Sequence, residues 1–366
     1  MTLSKILVSG LLATSVSSAA LAPQKRASGT ATVSLAEPSG TPSHLASGII
    51  YGLPDNGDGS ANTDIPESFI TGMGLNYCRA GGAQLPDPAL GWVAGQYEGR
   101  WKSALSNYRT TRKYGGRFTL LMHDPWGADG IQGNEFHWPG DNGNWTSYDA
   151  FLDQVFSDIK LYNAIPGLDI DIWNEPDVGG FWGTSQEQYL ATWLRTFHRI
   201  SGPSATEPPT ESSPWWQNYM RFIAENDAVP DIYTWHLVRA DRNLRESSSQ
   251  FDELRRRNSL PERPIVINER SPAGGVFYIS QFERHNTHGL RANWGSASKL
   301  HDLLANLLGK RDGEYYPVGE WHVYNYYKEK MTGERVAVGP GLARTVVVSA
   351  SSWAAKKERL RIVVIV

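Results

Sequence analysis

One cysteine, Cys78, stands among 366 residues, so no intramolecular disulfide framework holds this chain together. It lies inside an apolar strand pattern, which suits a small buried side chain rather than a reactive thiol. Charge of either sign is not in excess. Lys and Arg number 35 against 38 Asp and Glu, for a net charge of -3, and nothing in that balance points to nucleic acid or an anionic membrane as partner. No apolar run reaches the roughly 18 residues that a membrane-spanning helix needs. His-Glu-x-x-His and paired-cysteine motifs are also missing, and His285-x-x-His288 reads as a solvated loop, so neither a metal nor a cofactor is expected. Aromatic surface is what the chain has in quantity, with 14 Trp and 16 Tyr. Many of these rings must fill core, but large flat side chains also suit stacking on planar or ring-shaped ligands.

The chain opens with a targeting pattern. Lys5, the apolar run from Ile6 to Val16 and Ala20-Leu21-Ala22 together match a cleaved secretory signal over residues 1–22. Secretion is therefore expected, with no membrane attachment after cleavage. Lys25-Arg26 is a candidate dibasic processing site, and Asn144-Trp145-Thr146 a glycosylation sequon that secretion would make usable. Oligomeric state is not legible.

Residues 23–45 are rich in Ser, Pro, Gly and Thr and hold one strand-like piece, Ala31–Ala36. From residue 46 to about 330 a unit repeats: a short apolar strand, a loop, then an amphipathic helix. Eight strands are expected, at Gly48–Leu53, Leu75–Arg79, Phe118–His123, Leu168–Trp173, Ile200–Ser204, Ile232–His236, Ile265–Asn268 and Trp321–Tyr324. Helices are expected from Thr146 to Tyr162, after a Thr184-x-x-Glu187 capping box, and over Leu300–Leu308 with Gly309 as its C-terminal cap. Shorter ones are expected at Trp101–Tyr114, Trp215–Glu225 and Gln250–Arg257. Strands alternating with helices imply a parallel sheet, and eight units suit a closed (β/α)8 TIM barrel. A doubly wound sheet is the alternative, but it would want a glycine-rich first turn that Gly52-Leu53-Pro54-Asp55 lacks. In residues 331–366, Thr345–Ser349 and Leu360–Val366 are strand-like with no helix between them, which implies a small β appendage pairing with Ala31–Ala36.

The chemistry is expected at strand ends. Leu168, Ile170 and Ile172 alternate with Asp169, Asp171 and Trp173 as a strand does, and Pro176 stops the ladder because it has no N–H. Glu175 thus sits at the carboxyl end of the fourth strand. Glu269 has the same setting at the end of the seventh, after Ile265-Val266-Ile267-Asn268. Two carboxyls over one barrel mouth are the equipment for retaining glycoside hydrolysis, where one group is acid/base and the other nucleophile. Arg79, His123 and His236 end the second, third and sixth strands. An Arg beside a carboxylate keeps it ionised, as a nucleophile needs; an acid/base Glu needs its pKa raised instead. Trp126, Trp138, Trp145, Trp182 and Trp294 follow strand ends and could line sugar subsites, though loop packing explains any single one as well.

The stretch Ile172-Trp173-Asn174-Glu175-Pro176-Asp177 resembles the acid/base motif of clan A glycoside hydrolases, and most nearly that of glycoside hydrolase family 39, which includes β-xylosidases and α-L-iduronidases. That resemblance implies Glu175 as acid/base, Asn174 as a hydrogen-bond partner of the sugar 2-hydroxyl, Glu269 as nucleophile, and Arg79 and His123 as the clan's strand-two Arg and strand-three His. Many clan members carry a Tyr two residues beyond a strand-six His, touching the nucleophile; here Val238 occupies that place. Two other classes stay open on residues alone: a non-catalytic carbohydrate-binding protein on the same scaffold, and a metal-dependent hydrolase.

Overall fold

The computed structural model describes residues 33–83, 85, 89–129, 136–196, 200–239, 243–292, 300–338, 347–350 and 362–365. The expected signal segment, Lys25-Arg26 and Trp294 lie outside them. After a first strand, β1 (Val33–Pro38), eight parallel strands close into a barrel: β2 (Gly48–Ile50), β3 (Tyr77–Ala80), β4 (Arg117–Leu121), β5 (Leu168–Asp171), β6 (Ile200–Ala205), β7 (Ile232–Leu237), β8 (Ile265–Arg270) and β9 (His288–Arg291). The ring shuts where Gly48 and Ile49 of β2 face Leu290 and Arg291 of β9. Helices alternate with the strands, which makes this the (β/α)8 TIM barrel expected from the strand–helix repeat. Among the described residues no helix is long and apolar enough to cross a membrane.

Seven of the eight expected strands hold their places; the eighth does not. Trp321–Tyr324 is part of the helix Gly319–Lys330. Its buried Tyr324 and Tyr327 lie three residues apart on one helix face, a spacing that a four-residue apolar window cannot tell from a strand. The true closing strand, His288-Gly289-Leu290-Arg291, carries one large apolar side chain and is extended because its neighbours on both sides demand it. The helix expected through Leu300–Leu308 is also absent beyond Leu300: Leu303 to Asn306 all have φ between 47° and 67°. There the chain doubles back, with Leu304 N–H on Gly52 C=O and Gly52 N–H on Leu300 C=O. Leu300, Leu304, Leu307 and Leu308 still bury, but around a left-handed turn packed on the loop after β2. Gly52 permits this approach, since a Cβ there would stand 2.4 Å from the Ala305 nitrogen. Gly309 belongs to the hairpin of β10 (Leu308–Arg311) and β11 (Glu314–Pro317), not to a helix cap.

Other helices follow their periodicity. Thr146–Leu161 buries Leu152, Val155 and Ile159, and its first N–H is capped by Asn144 Oδ1 at 3.0 Å. The helix Gln186–Thr196 is capped by Ser185, whose Oγ accepts from Gln188 N–H, one residue later than the Thr184 box implied. Outside the barrel, β1 pairs with β12 (Glu334–Val338), β12 with β13 (Val347–Ala350), and β13 with β14 (Ile362–Ile365), all antiparallel. The first strand therefore meets β12, which the sequence pattern did not reveal, rather than the two last strands directly.

Candidate active site

Asp171, on β5, is the centre from which the mouth is built. It is fully buried inside the barrel, where its Oδ2 accepts from Arg79 Nε of β3 at 2.8 Å, Ser204 Oγ of β6 at 2.7 Å and Asn268 Nδ2 of β8 at 3.0 Å. Four strands are thereby held together by one carboxylate. Arg79 in turn donates from Nη2 to Asn174 Oδ1 at 2.9 Å. That bond turns the Asn174 amide so that its NH2 group is free to donate elsewhere. Asp171 is legible in the alternation of β5 as an inward acid, but its reach across the barrel is not.

Two irregularities aim the side chains. Along β8 the register runs Trp235↔Ile267, then His236↔Glu269, so Asn268 is an extra residue; β9 sees the same insertion between Ile267 and Arg270. In an unbroken strand Asn268 and Glu269 would point to opposite faces. The bulge lets both contribute to the interior, Asn268 to Asp171 and Glu269 to the site above it. Along β6 the register shifts between Pro203 and Ala205, and Ser204 has φ 56°. Glu175 is itself left-handed, at φ 46°, with its N–H on Ser204 C=O at 3.0 Å. A non-glycine residue in that region is held there against a steric cost of about 1–3 kcal/mol, a condition met mostly where a side chain must be presented in one direction. Asp177 fastens the turn by accepting from the N–H groups of Thr206 and Glu207.

The two strand-end glutamates converge. Both are buried, and His236 stands between them. Its Nδ1 is 2.9 Å from Glu175 Oε1 and 2.7 Å from Glu269 Oε2. One oxygen from each glutamate and the imidazole nitrogen all lie within 4.8 Å of one another. His236 therefore supplies the contact to Glu269 that a strand-six Tyr makes elsewhere, and Tyr51, after β2, lies within electrostatic reach of the same carboxylate. Burial by itself would lower the His236 pKa, but Glu269 and Glu175 together push it up to about 9. Glu175 moves the other way. Burial works to raise its pKa, yet the hydrogen bond and charge of His236, with Arg79 behind, hold it below the usual carboxylate range. The raised acid expected of Glu175 is thus not what the resting site contains.

Three donor atoms so close could in principle take a metal ion. The spacing argues for direct hydrogen bonding instead: a zinc tetrahedron with bonds of about 2.0–2.1 Å would set its N and O ligands roughly 3.4 Å apart, not 2.7 and 2.9 Å.

His123 begins a short helix, His123–Trp126, where a strand end was expected. It is buried beneath the mouth, its Nδ1 2.8 Å from Asp124 Oδ1. Asp124 also accepts from Tyr51 Oη at 2.7 Å and from Ala83 N–H at 3.1 Å. Gly81 makes room for it, since a Cβ there would fall 2.6 Å from Asp124 Cβ. Tyr51 and Asp124 carry no sequence signal beyond their positions after strands one and three.

Trp126 and Trp182 require a correction, because neither faces the opening. Trp126 is buried on Tyr148 and Phe151, with Nε1 on the carbonyl of His137. Trp182 is buried between Trp173 and Tyr189, with Nε1 on the carbonyl of Ser185. Both rings are filled on their faces by other rings and have their N–H satisfied, which is the packing role. Phe136, Trp138 and Phe181 are only partly buried; Phe136 meets Trp138 at 4.7 Å and Phe181 meets His123 at 6.1 Å.

No protein-family model matches the sequence, and no curated protein matches it. Solved structures do. The structure of N2152 from Neocallimastix frontalis is 23% identical with a TM-score of 0.64, over 89% of this chain and 78% of that one. A GH39 beta-xylosidase from Caulobacter crescentus is 14% identical with a TM-score of 0.55, over 88% of this chain and 79% of that one. A GH39 enzyme from Xanthomonas axonopodis pv. citri is 13% identical with a TM-score of 0.52, over 88% and 73%. At these identities the likeness is one of fold.

Proposed function

We propose that the protein is a secreted, retaining glycoside hydrolase, β-xylosidase-like, with Glu175 as acid/base and Glu269 as nucleophile. The observation that carries this reading is the convergence of two buried strand-end carboxylates whose oxygens lie within 4.8 Å of each other. Carboxyls about 5–5.5 Å apart suit direct attack on the anomeric carbon, whereas inversion needs about 6.5–9.5 Å to admit a water. The Trp-Asn-Glu-Pro resemblance supports the same roles, and two structures sharing the fold are GH39 enzymes, one of them a beta-xylosidase.

In this scheme Glu269 attacks the anomeric carbon while a proton on Glu175 passes to the departing glycosidic oxygen. Water, deprotonated by Glu175, then displaces Glu269, and configuration is retained. Arg79 and Asn174 orient the sugar hydroxyls, and the partly exposed rings Phe136, Trp138 and Phe181 offer faces for its C–H surface. A panel of 4-nitrophenyl glycosides and plant and fungal polysaccharides, assayed on the purified chain with Glu175 and Glu269 variants as blanks, tests the proposal. Turnover with a retained anomeric configuration by NMR is expected. Sugar binding that survives loss of both glutamates, with no turnover of any substrate, would favour the non-catalytic binding reading.

A further inference from the structure

Retaining hydrolysis needs a proton waiting beside the departing oxygen. Glu175 must deliver one, yet in this site it is held ionised. His236 is a buried imidazole placed within hydrogen-bonding distance of both carboxylates through a single nitrogen, Nδ1, while Nε2 has no hydrogen-bond partner among the described residues. An Nδ1 atom carries one hydrogen and can direct it at one acceptor. Glu175 Oε1 at 2.9 Å and Glu269 Oε2 at 2.7 Å both lie within reach of that one hydrogen. Two carboxylates so close, out of water, must either share a proton or have a positive charge beside them, and His236 Nδ1 lies within 3 Å of both. The groups facing His236 are Glu175 and Asp177 from the turn after β5 and Glu269 from β8, with Arg79 and Tyr51 behind. Arg79 is already engaged by Asp171.

We infer that His236 is the positioning residue that stores the acid's proton, handing it to Glu175 along their existing hydrogen bond as Glu269 begins its attack. This rests on the glycosidase reading. The hand-over is coupled to bond formation. Glu269 is the strongest of the influences that raise the imidazole pKa, and when its oxygen bonds the anomeric carbon its charge disappears. The imidazole then loses its reason to stay charged. The Nδ1 proton moves to Glu175 Oε1, and the Glu175 O–H passes its proton to the glycosidic oxygen as the C–O bond breaks. In the second half, water attacks the anomeric carbon, the bond to Glu269 breaks, and the water's proton goes to Glu175 and back to Nδ1. The cycle returns every proton and needs no other reactant.

The test is the alkaline limb of kcat/KM, which reports free enzyme. With His236 holding the proton, activity persists below about 9 and is lost as pH rises through it. His236→Asn keeps a hydrogen-bond donor but cannot store a proton. It should move that limb at least two pH units toward acid and cut turnover of an alkyl glycoside by about 10²-fold or more, as expected for losing a proton donor. A 2,4-dinitrophenyl glycoside, whose leaving group needs no proton, should lose far less. An unmoved limb, or equal losses on both substrates, would overturn the inference while leaving the glycosidase reading intact. If the variant does not fold, histidine NMR of the native enzyme decides. One imidazole should titrate near 9 and fall by more than one pH unit when Glu269 is trapped by a 2-deoxy-2-fluoro glycoside. If every imidazole titrates below about 7 the inference fails, whether or not any glycoside is turned over.

Discussion

The two ends of this barrel use similar residues to opposite purposes. At the lower end Asp169 accepts from Tyr77 Oη and from both Nε and Nη2 of Arg117, so its two oxygens are fully engaged. At the mouth, two residues further along the same strand, Asp171 gathers three donors on Oδ2, its Oδ1 has no hydrogen-bond partner among the described residues, and the layer above it is open too. Arg79 Nη1, His236 Nε2 and His123 Nε2 have no hydrogen-bond partner among the described residues. A satisfied network is structural; buried polar atoms left open are either a cost or a site. Histidine makes the same contrast. His288, beside Tyr77, has its pKa lowered to about 4, first by burial and then by Arg117, while His236 is raised to about 9 by two carboxylates.

Six substitutions would sharpen this contrast. Glu269→Ala should lower kcat by about 10⁴-fold or more, since it removes the group whose attack defines the reaction; azide should restore turnover only with inverted configuration. Undiminished activity would end the assignment. Glu175→Ala should cost about 10²–10⁴-fold on substrates with poor leaving groups and less on activated ones.

Stability comes next in size. Asp171→Ala strands the buried guanidinium of Arg79, and urea unfolding should show a loss of about 3–5 kcal/mol. Asp169→Ala at the other end should lose less than half as much, because Arg117 is 44% exposed and water can replace its partner. Equal losses would erase the distinction between the two ends.

The smallest effect is in pH dependence. His236 has its folded pKa raised above 6.5, so its contribution to stability is full below 6.5 and fades as pH climbs through about 9. His288 is depressed. Its contribution is full above 6.5 and fades as pH falls toward about 4. Urea midpoints measured at pH 4, 6.5 and 9.5 should therefore flatten on the alkaline side in His236→Asn and on the acid side in His288→Asn.

What the residues reveal unaided is the part governed by local repetition. Period-two alternation placed β5, a short β-branched run placed β8, Pro176 marked a break beyond β5, and the strand–helix rhythm implied the barrel. Glu175, Glu269, Arg79 and His236 were legible as strand-end residues because each follows a recognisable strand. Where local pattern is thin, reading fails. His288–Arg291 is a strand only because β8 and β2 flank it, and Leu300–Leu308 looks helical only until Gly52 lets the turn fold back. The tryptophans were misplaced since a ring in a loop gives no sign of whether other rings will cover it.

Sequence by itself determined a barrel with two carboxylates at its carboxyl end, because strand periodicity and chain breaks are properties of neighbours in the chain. Tertiary structure alone decided that the carboxylates meet across His236, that Asp171 ties β3, β6 and β8 to β5, and that a one-residue bulge at Asn268 turns Glu269 inward. Those facts depend on register between strands far apart in sequence. Charge also acts through space: the pKa of His236 is set by residues 61 and 33 positions away along the chain, which only closure of the barrel brings within reach.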